Sequence, residues 1–465
     1  MQRLSSFDAN FLYLESPTSH MHVGSLAIYD PSTANGQWGV ERVRQVYEDR
    51  IHLVPQFRRR IAEVPLQLDH PRWVDDPEFD LGWHIRHIAV PAPGGPDELA
   101  RLTGELMATQ LDRQRPLWEV WVIDAVTGGR FAILSKAHHA AMDGNAGIQM
   151  VSAMFDPTPD VAPVPPAPEW EPEAVPGDLA LLTRAAGSLA MQPLRAVRAT
   201  ERGLRAVLAR RRIAADRHGT VASTLPAGAP KVSFSATLTP ERSFAFRTLS
   251  LGDVKAVRHA TGATVNDVVL AVVGQGLAQW MAERGEAVDR SLVAMVPMSF
   301  RGNGADAAEA NQLMNMFIRL GTDLADPLHR LAFIAEQTSS AKAQLSNGAG
   351  DPIRELSDLS PATVTAHLFH YAAAHHLADR MTPLFNLTMS NLMGSPTPLF
   401  LGGALMVANY PLAPIYDGNG LNITVMSYLQ QVDVGVVGCP QLTPDLDRIP
   451  IHLELALAEL VELTT

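Results

Sequence analysis

Apolar positions in the first 155 residues follow two rhythms in turn. Leu99 to Asp112 (LARLTGELMATQLD) has helical spacing, while Glu119 to Val126 (EVWVIDAV) and Arg130 to Ala137 (RFAILSKA) predict two strands joined by the turn Thr127-Gly128-Gly129. Phe131, Ile133 and Ser135 alternate with Ala132, Leu134 and Lys136, so this second strand runs up to the pair His138-His139. Asp143-Gly144 then opens a helix whose expected buried face is Ile148, Val151 and Phe155. Beyond residue 230 the rhythms return. Val265 to Gly285 predicts a long apolar helix closed by Gly285, with Thr264 and Asp267 at capping-box spacing at its head. Ser291 to Phe300 and Leu384 to Asn391 predict buried strands, Leu421 to Gly438 a hairpin, and Arg448 to Thr464 a closing helix.

Between these halves the pattern breaks. Asp156 to Asp178 holds eight prolines and six acidic residues with no Lys or Arg, the composition of an extended linker. Arg184 to Arg217 follows, with nine arginines against Glu201 and Asp216, a local charge of +7. Apolar residues at Leu194, Val197, Leu204, Val207 and Leu208 make it a basic amphipathic helix. Such a helix serves either as a solvated crossover between lobes or as a dock for an anionic lipid surface. Mixed helices and strands on both sides of one linker imply two α/β lobes with a site in the cleft between them.

Composition narrows the classes. A chain of 465 residues with 46% hydrophobic content is too large for one ordinary core. A net charge of −12 argues against nucleic-acid binding. The single cysteine, Cys439, excludes an intramolecular disulfide and a cysteine-built metal cage, which fits a reducing cytoplasmic compartment. The N-terminal MQRLSSFDANFLYLES lacks the apolar core of a signal peptide, and no window reaches the roughly 18 consecutive apolar residues of a membrane-spanning helix. A soluble or peripheral protein is expected.

The chemistry concentrates in FAILSKAHHAAMDG. Histidine at the end of a strand suits general-base work, because its ordinary pKa lies near neutrality. Two histidines that merely adjoin, filling structural roles, are the plainer alternative. The chain offers its own control in His375-His376, where Asp379 comes one residue early and no glycine follows; that pair reads as surface or satisfied core histidines. No metal site is expected, since adjacent histidines diverge and there is no HExxH or cysteine pattern. No GxSxG elbow or GxxxxGK phosphate loop is present, and GQGLAQ at Gly274 is a broken GxGxxG inside a helix.

His138-His139-Ala140-Ala141-Met142-Asp143-Gly144 matches the HHxxxDG signature of CoA-dependent acyltransferases and peptide-synthetase condensation domains. Further segments resemble one branch, the bacterial wax ester synthase/acyl-CoA:diacylglycerol acyltransferase family: LSSFDANFLYLE at the N-terminus, WVDDPEFDLGWHI, RPLWEVWVI, TVNDVVLA, VPMSFRG, MSNLMGSP and GLNITVMSY, in that order. The resemblance runs from about residue 4 to the C-terminus. The chain departs from the family at Asn391-Leu392-Met393-Gly394-Ser395, where an Asn-Val-Pro-Gly-Pro run is usual, and at Cys439-Pro440, where many members carry an acidic residue. Both departures bear on substrate choice.

The resemblance implies two chloramphenicol-acetyltransferase-like α/β lobes around a central cleft or tunnel: residues 1–155, a linker and crossover helix at 156–230, and residues 231–465. It implies an O-acyltransferase that moves a long-chain acyl group from acyl-CoA, a co-substrate with no further cofactor, to diacylglycerol or a long-chain alcohol. His139 would be the general base, His138 would orient the loop, Gly144 would let the backbone turn behind the base, and Asp143 would be structural, pairing with Arg301. Pro116, Leu117, Trp118, Asn266, Asp267, Ser299, Arg301 and Asn391 fall in motifs that either line the substrate cleft or support it. A lipid substrate places the protein in the cytoplasm, peripheral to the inner membrane face or lipid droplets. Two other functions share the histidine motif: a condensation-type acyltransferase and a catalytically silent lipid-binding homologue.

Overall fold

The computed structural model describes residues 1–142, 144–174, 176–177, 179–183, 228–286, 289–301, 311–346 and 371–465, with the backbone alone at 67, 144–146, 148, 299–301, 311–314 and 344–346. Asp143 and the basic stretch 184–217 lie outside them. Along the first part of the chain the strands are β1 (Gln2–Arg3), β2 (His22–Asp30), β3 (Arg59–Ala62), β4 (Arg72–Asp75), β5 (Ile85–Ala89), β6 (Trp118–Val126) and β7 (Arg130–His138). After the linker come β8 (Ser243–Ser250), β9 (Val293–Arg301), β10 (Asn311–Arg319), β11 (Leu387–Met393), β12 (Phe400–Leu401), β13 (Ala404–Leu412), β14 (Leu421–Tyr428) and β15 (Gln431–Gly438).

They form two six-stranded mixed sheets, ordered β12-β13-β2-β7-β6-β5 and β10-β9-β11-β14-β15-β8, and a small sheet β1-β4-β3. In the first sheet β7 is central, antiparallel to β2 and β6. Its alternation sends Ile133 and Ala137 into a core with Tyr47, Trp118 and Met154, and Ala132 and Leu134 into a second core shared with Phe244 and Val437 of the other sheet. In the second sheet β11 runs parallel to β9 and β14, and the predicted hairpin is the antiparallel pair β14-β15. The segment 231–465, expected to make the second lobe alone, also supplies β12 and β13 to the first sheet, where β13 pairs with β2. The two lobes therefore interlock through β13. Its neighbour across the junction is so close that a Cβ on Gly435 of β15 would lie 1.9 Å from the Pro411 carbonyl oxygen.

The long apolar helix forms at Val265–Glu283 and ends before Gly285, whose φ is +67°. It is buried on nearly all sides. Gly274 and Gly276, the broken nucleotide fingerprint, are contact points: a Cβ there would lie 2.2 Å from the Leu320 carbonyl oxygen and 2.6 Å from Leu453, the latter on the closing helix Arg448–Thr464. The first predicted helix is observed at Pro96–Met107, shorter than its apolar period suggested. The fully buried Lys136 ammonium explains the early end, since it donates to the carbonyls of Leu106 (3.1 Å) and Thr109 (2.9 Å) and lies 3.3 Å from Glu119. A cation at a helix C-terminus satisfies carbonyls that the helix leaves open.

The linker begins with a tether. Asp156 is buried, exchanges backbone hydrogen bonds with Phe400 and takes both oxygens to Arg50 at 2.9 Å. From Pro157 to Ala174 the chain carries no helix or strand, as its proline content predicts.

Candidate active site

Two carbonyls pin the loop that follows β7. The His138 N–H donates to Leu117 O and the His139 N–H to Met21 O, each at 2.9 Å. Leu117 is the centre of the Pro116-Leu117-Trp118 motif, all three of which are buried. Met21 is 2% exposed with φ +50°, a left-handed conformation that a non-glycine residue adopts only when its surroundings hold it there. The strand end is thus fixed from both neighbouring strands.

The two histidines have different surroundings. His138 is buried; its Nδ1 accepts the Ala140 N–H at 3.1 Å and so caps the short turn His139–Ala141. An accepting Nδ1 leaves the proton on Nε2, which faces the Glu15 carboxylate at 3.7 Å. Burial, reinforced by the Arg113 guanidinium, pushes the His138 pKa down to about 3. Glu15 is itself bound by Arg113 Nε at 2.7 Å, and the pair lines a pocket of about 270 Å³ with Tyr13, Glu63 and Gln110. His139 remains partly accessible. Its ring lies flat against Phe11, centroids 3.8 Å apart at 9°, and Phe11 meets Phe7 edge-on at 5.2 Å. Burial lowers the His139 pKa to about 4, against a hydrogen bond to its own backbone that pulls the other way. The ring is neutral at physiological pH and free to accept a proton.

The remaining motif residues sort into supports and cleft positions. Trp118 donates Nε1–H to Phe57 O at 2.8 Å and stacks on His84 at 4.3 Å, while His84 Nδ1 meets Trp118 O at 2.8 Å. This cluster braces β6 beside the histidine loop. Asp267 is buried and completes a reciprocal cap with Thr264 (2.9 and 3.2 Å), its other oxygen accepting Thr338 Oγ1 at 2.6 Å. Asn266, beside it, accepts Asn391 Nδ2 at 3.3 Å, so two motifs far apart in the chain meet between β11 and the head of the long helix. Of Ser299 and Arg301 the backbone alone is described, opposite Leu313 and Asn311 in β9-β10. The Asp143–Arg301 pairing falls outside the described residues. Gly144 opens the helix Gly144–Met154, as its position predicts. Of the expected buried face, Phe155 packs against the core, Val151 is instead 42% exposed and the Ile148 side chain lies outside the described residues; Met154 points into the core, with Met150 and Ala153 packed against it.

At the departures from the family pattern, Met393 is 94% exposed and a Cβ on Gly394 would sit 2.1 Å from Ser427 O, so glycine is required there. Cys439 is buried, with Thr239 Oγ1 at 3.4 Å and Gln441 Oε1 at 3.2 Å as neighbours. His375 and His376 are both exposed, His376 leaving its turn in the left-handed region. Phe11 and Met21 are the two residues the motif reading missed. Phe7 and Phe11 do stand one helical turn apart in the sequence, the signal of a shared face, but nothing in it pairs that face with a histidine.

Comparison with known proteins converges on one family. The family model described as wax ester synthase/diacylglycerol acyltransferase catalytic domain matches residues 4–269, and that of the WS/DGAT C-terminal domain matches residues 310–461. A Mycobacterium tuberculosis protein named as a diacylglycerol O-acyltransferase is 35% identical, over 99% of this chain and 90% of its own length. A Mycobacterium bovis protein of the same name is 32% identical over 97% of both. Among solved structures, the wax ester synthase/diacylglycerol acyltransferase from Marinobacter aquaeolei VT8 superposes with a TM-score of 0.68 at 27% identity, covering 98% of each chain. The first condensation domain of the CDA synthetase, at 17% identity and a TM-score of 0.53 over 100% of this chain and 96% of its own, shares the fold alone. With family models matching residues 4–269 and 310–461 and a relative 35% identical over 99% of the chain, this protein belongs to the wax ester synthase/diacylglycerol acyltransferase family.

Proposed function

We propose that the protein transfers a long-chain acyl group from acyl-CoA to the hydroxyl of a lipid acceptor, diacylglycerol or a long-chain alcohol, with His139 as general base. The observation that carries this reading is the state of His139: a neutral, partly accessible imidazole at the end of β7, its N–H held by Met21 and its ring by Phe11. Of the two ring nitrogens only Nδ1 can reach the residue's own backbone, which leaves the Nε2 lone pair to accept the proton. The acceptor O–H gives that proton to Nε2 as its oxygen attacks the thioester carbon. The C–O bond forms and the C–S bond breaks, and the leaving thiolate takes the proton back from the imidazolium. No acyl-enzyme is required when both substrates are bound together.

In this scheme His138 orients the loop through its Nδ1 cap, and Asn266 and Asn391 line the cleft that the two substrates enter. Four lysines in the whole chain leave the phosphates of CoA to arginines. No helix among the described residues is long and apolar enough to cross a membrane. Lipid acceptors are then reached peripherally, through the basic stretch 184–217. Incubation with palmitoyl-CoA and either dioleoylglycerol or hexadecanol, with the lipid products separated, tests the reading: triacylglycerol or wax ester supports it, and neither product refutes it. Replacing Arg210, Arg211 and Arg212 by Gln should weaken binding to anionic liposomes; unchanged binding would remove the peripheral-docking part.

A further inference from the structure

We propose that Phe11 is a positioning residue for His139: its stacked ring fixes the plane of the imidazole and closes that face to water, leaving the Nε2 edge to the acceptor hydroxyl. The inference rests on the reading of His139 as base. An imidazole turns about a broad, two-fold torsion, so a pinned backbone alone does not set its plane. The Met21 carbonyl holds the His139 main chain and the ring's bond to its own backbone restrains one edge, while Phe11, at 3.8 Å and 9°, is the side chain that lies flat against the ring face. Phe11 is itself held. The helix Ser6–Leu14 is capped by Ser5, which accepts the Asp8 N–H at 3.1 Å, and it buries Ala9, Leu12 and Tyr13 in a cluster with Leu117 and Ala140 of the catalytic loop. Phe7, one turn earlier, meets the Phe11 ring at 90° and limits its rotation. Phe7 and Phe11 both stay partly exposed, and Phe11 also packs against the edge of the cluster that Ala9, Leu12 and Tyr13 enter.

The charged and titratable groups nearby among the described residues are His138 on the same loop, Glu15 with its partner Arg113 behind the first helix, and His22, opposite His138 on β2. Replacing Phe11 alters none of them, so a change in the titration of His139 reports the lost ring cover.

Two readouts decide the matter in the full-length protein: NMR titration of the His139 ring, assigned by its absence in His139→Ala, and kcat for acceptor-dependent CoA release. Phe11→Leu keeps an apolar side chain without the flat face, and Phe11→Tyr restores the face. In the Leu variant kcat should fall by on the order of ten- to a hundredfold with KM for acyl-CoA unchanged, since a misdirected base loses only transition-state geometry. Its His139 pKa should move up toward the ordinary histidine value, and the Tyr variant should match the wild type in both readouts. A Leu variant at the wild-type value in either readout, or a Tyr variant impaired as far as Leu, overturns the proposal. The titration needs no turnover, so absence of acyl transfer in the wild type refutes the proposed function without obscuring the result for Phe11.

Discussion

Burial separates the work of two adjacent histidines. His138 spends one nitrogen on the Ala140 cap and is held neutral down to about pH 3, whereas His139 keeps an open edge and a pKa near 4. The proposed base, His139, must be unprotonated to act, so a depressed pKa extends activity downward in pH. The acid limb of kcat/KM should therefore lie well below 6.5, with a flat profile from there through neutrality; a limb at or above 6.5 would contradict the burial seen for His139. The same depression has a cost in stability. Below pH 6.5 the unfolded chain protonates His138 and the folded chain does not, so stability is complete above 6.5 and drains away as pH falls toward about 3. Between pH 7 and 5 this one residue should remove about 2 kcal/mol, read as the part of the urea-midpoint shift that His138→Gln takes away, the rest coming from His139 and the other buried histidines. At this scale the sequence displayed the histidines and the glycine plainly, because a motif is local. It could not display Met21 and Phe11 as their holders, since those contacts arise when the first helix and β2 fold back over the loop.

Capping chemistry makes elements the most readable level of this chain. Thr264 and Asp267 stand at the right spacing in the sequence and form the reciprocal cap in the structure. Asp267→Ala would leave the Thr264 N–H and the Thr338 hydroxyl without their carboxylate partner. A loss of about 1–3 kcal/mol in chemical denaturation is expected, with acyl transfer retained by the folded fraction. Equal stability would mean that the cap is redundant. Periodicity was less reliable where a distant side chain intervened. Lys136 takes the carbonyl of Leu106 in the last turn of the Pro96–Met107 helix and that of Thr109 just beyond it, and the Gly144–Met154 helix turns Met154 inward where Arg50 holds the Met154 carbonyl and Asp156. Neither cause is visible within the window that predicts a helix.

At the scale of the molecule, two α/β lobes were legible from the linker and from the alternation on each side of it, and the family resemblance supplied the architecture. The crossing of β13 into the first sheet was not, because a strand carries no mark of which sheet it joins. That crossing brings Asn409 N–H to Asp433 at 2.7 Å, Gln431 to Val407 O at 2.8 Å, and Gly435 against Pro411. Gly435→Ala should wedge β13 away from β15 and lower stability by about 1–3 kcal/mol, as overpacking does; an unchanged melting temperature would show the junction to be slack. The interlock joins the two sheets, and the proposed chemistry belongs to the histidine loop at the end of β7. The most direct test is the rate of CoA release from palmitoyl-CoA, with and without lipid acceptor, for the wild type and for His139→Ala, whose backbone bond to Met21 is preserved. The account predicts acceptor-dependent release that falls by roughly 10²–10⁴ in a variant of native melting temperature. Release at the wild-type rate from the folded variant would contradict it.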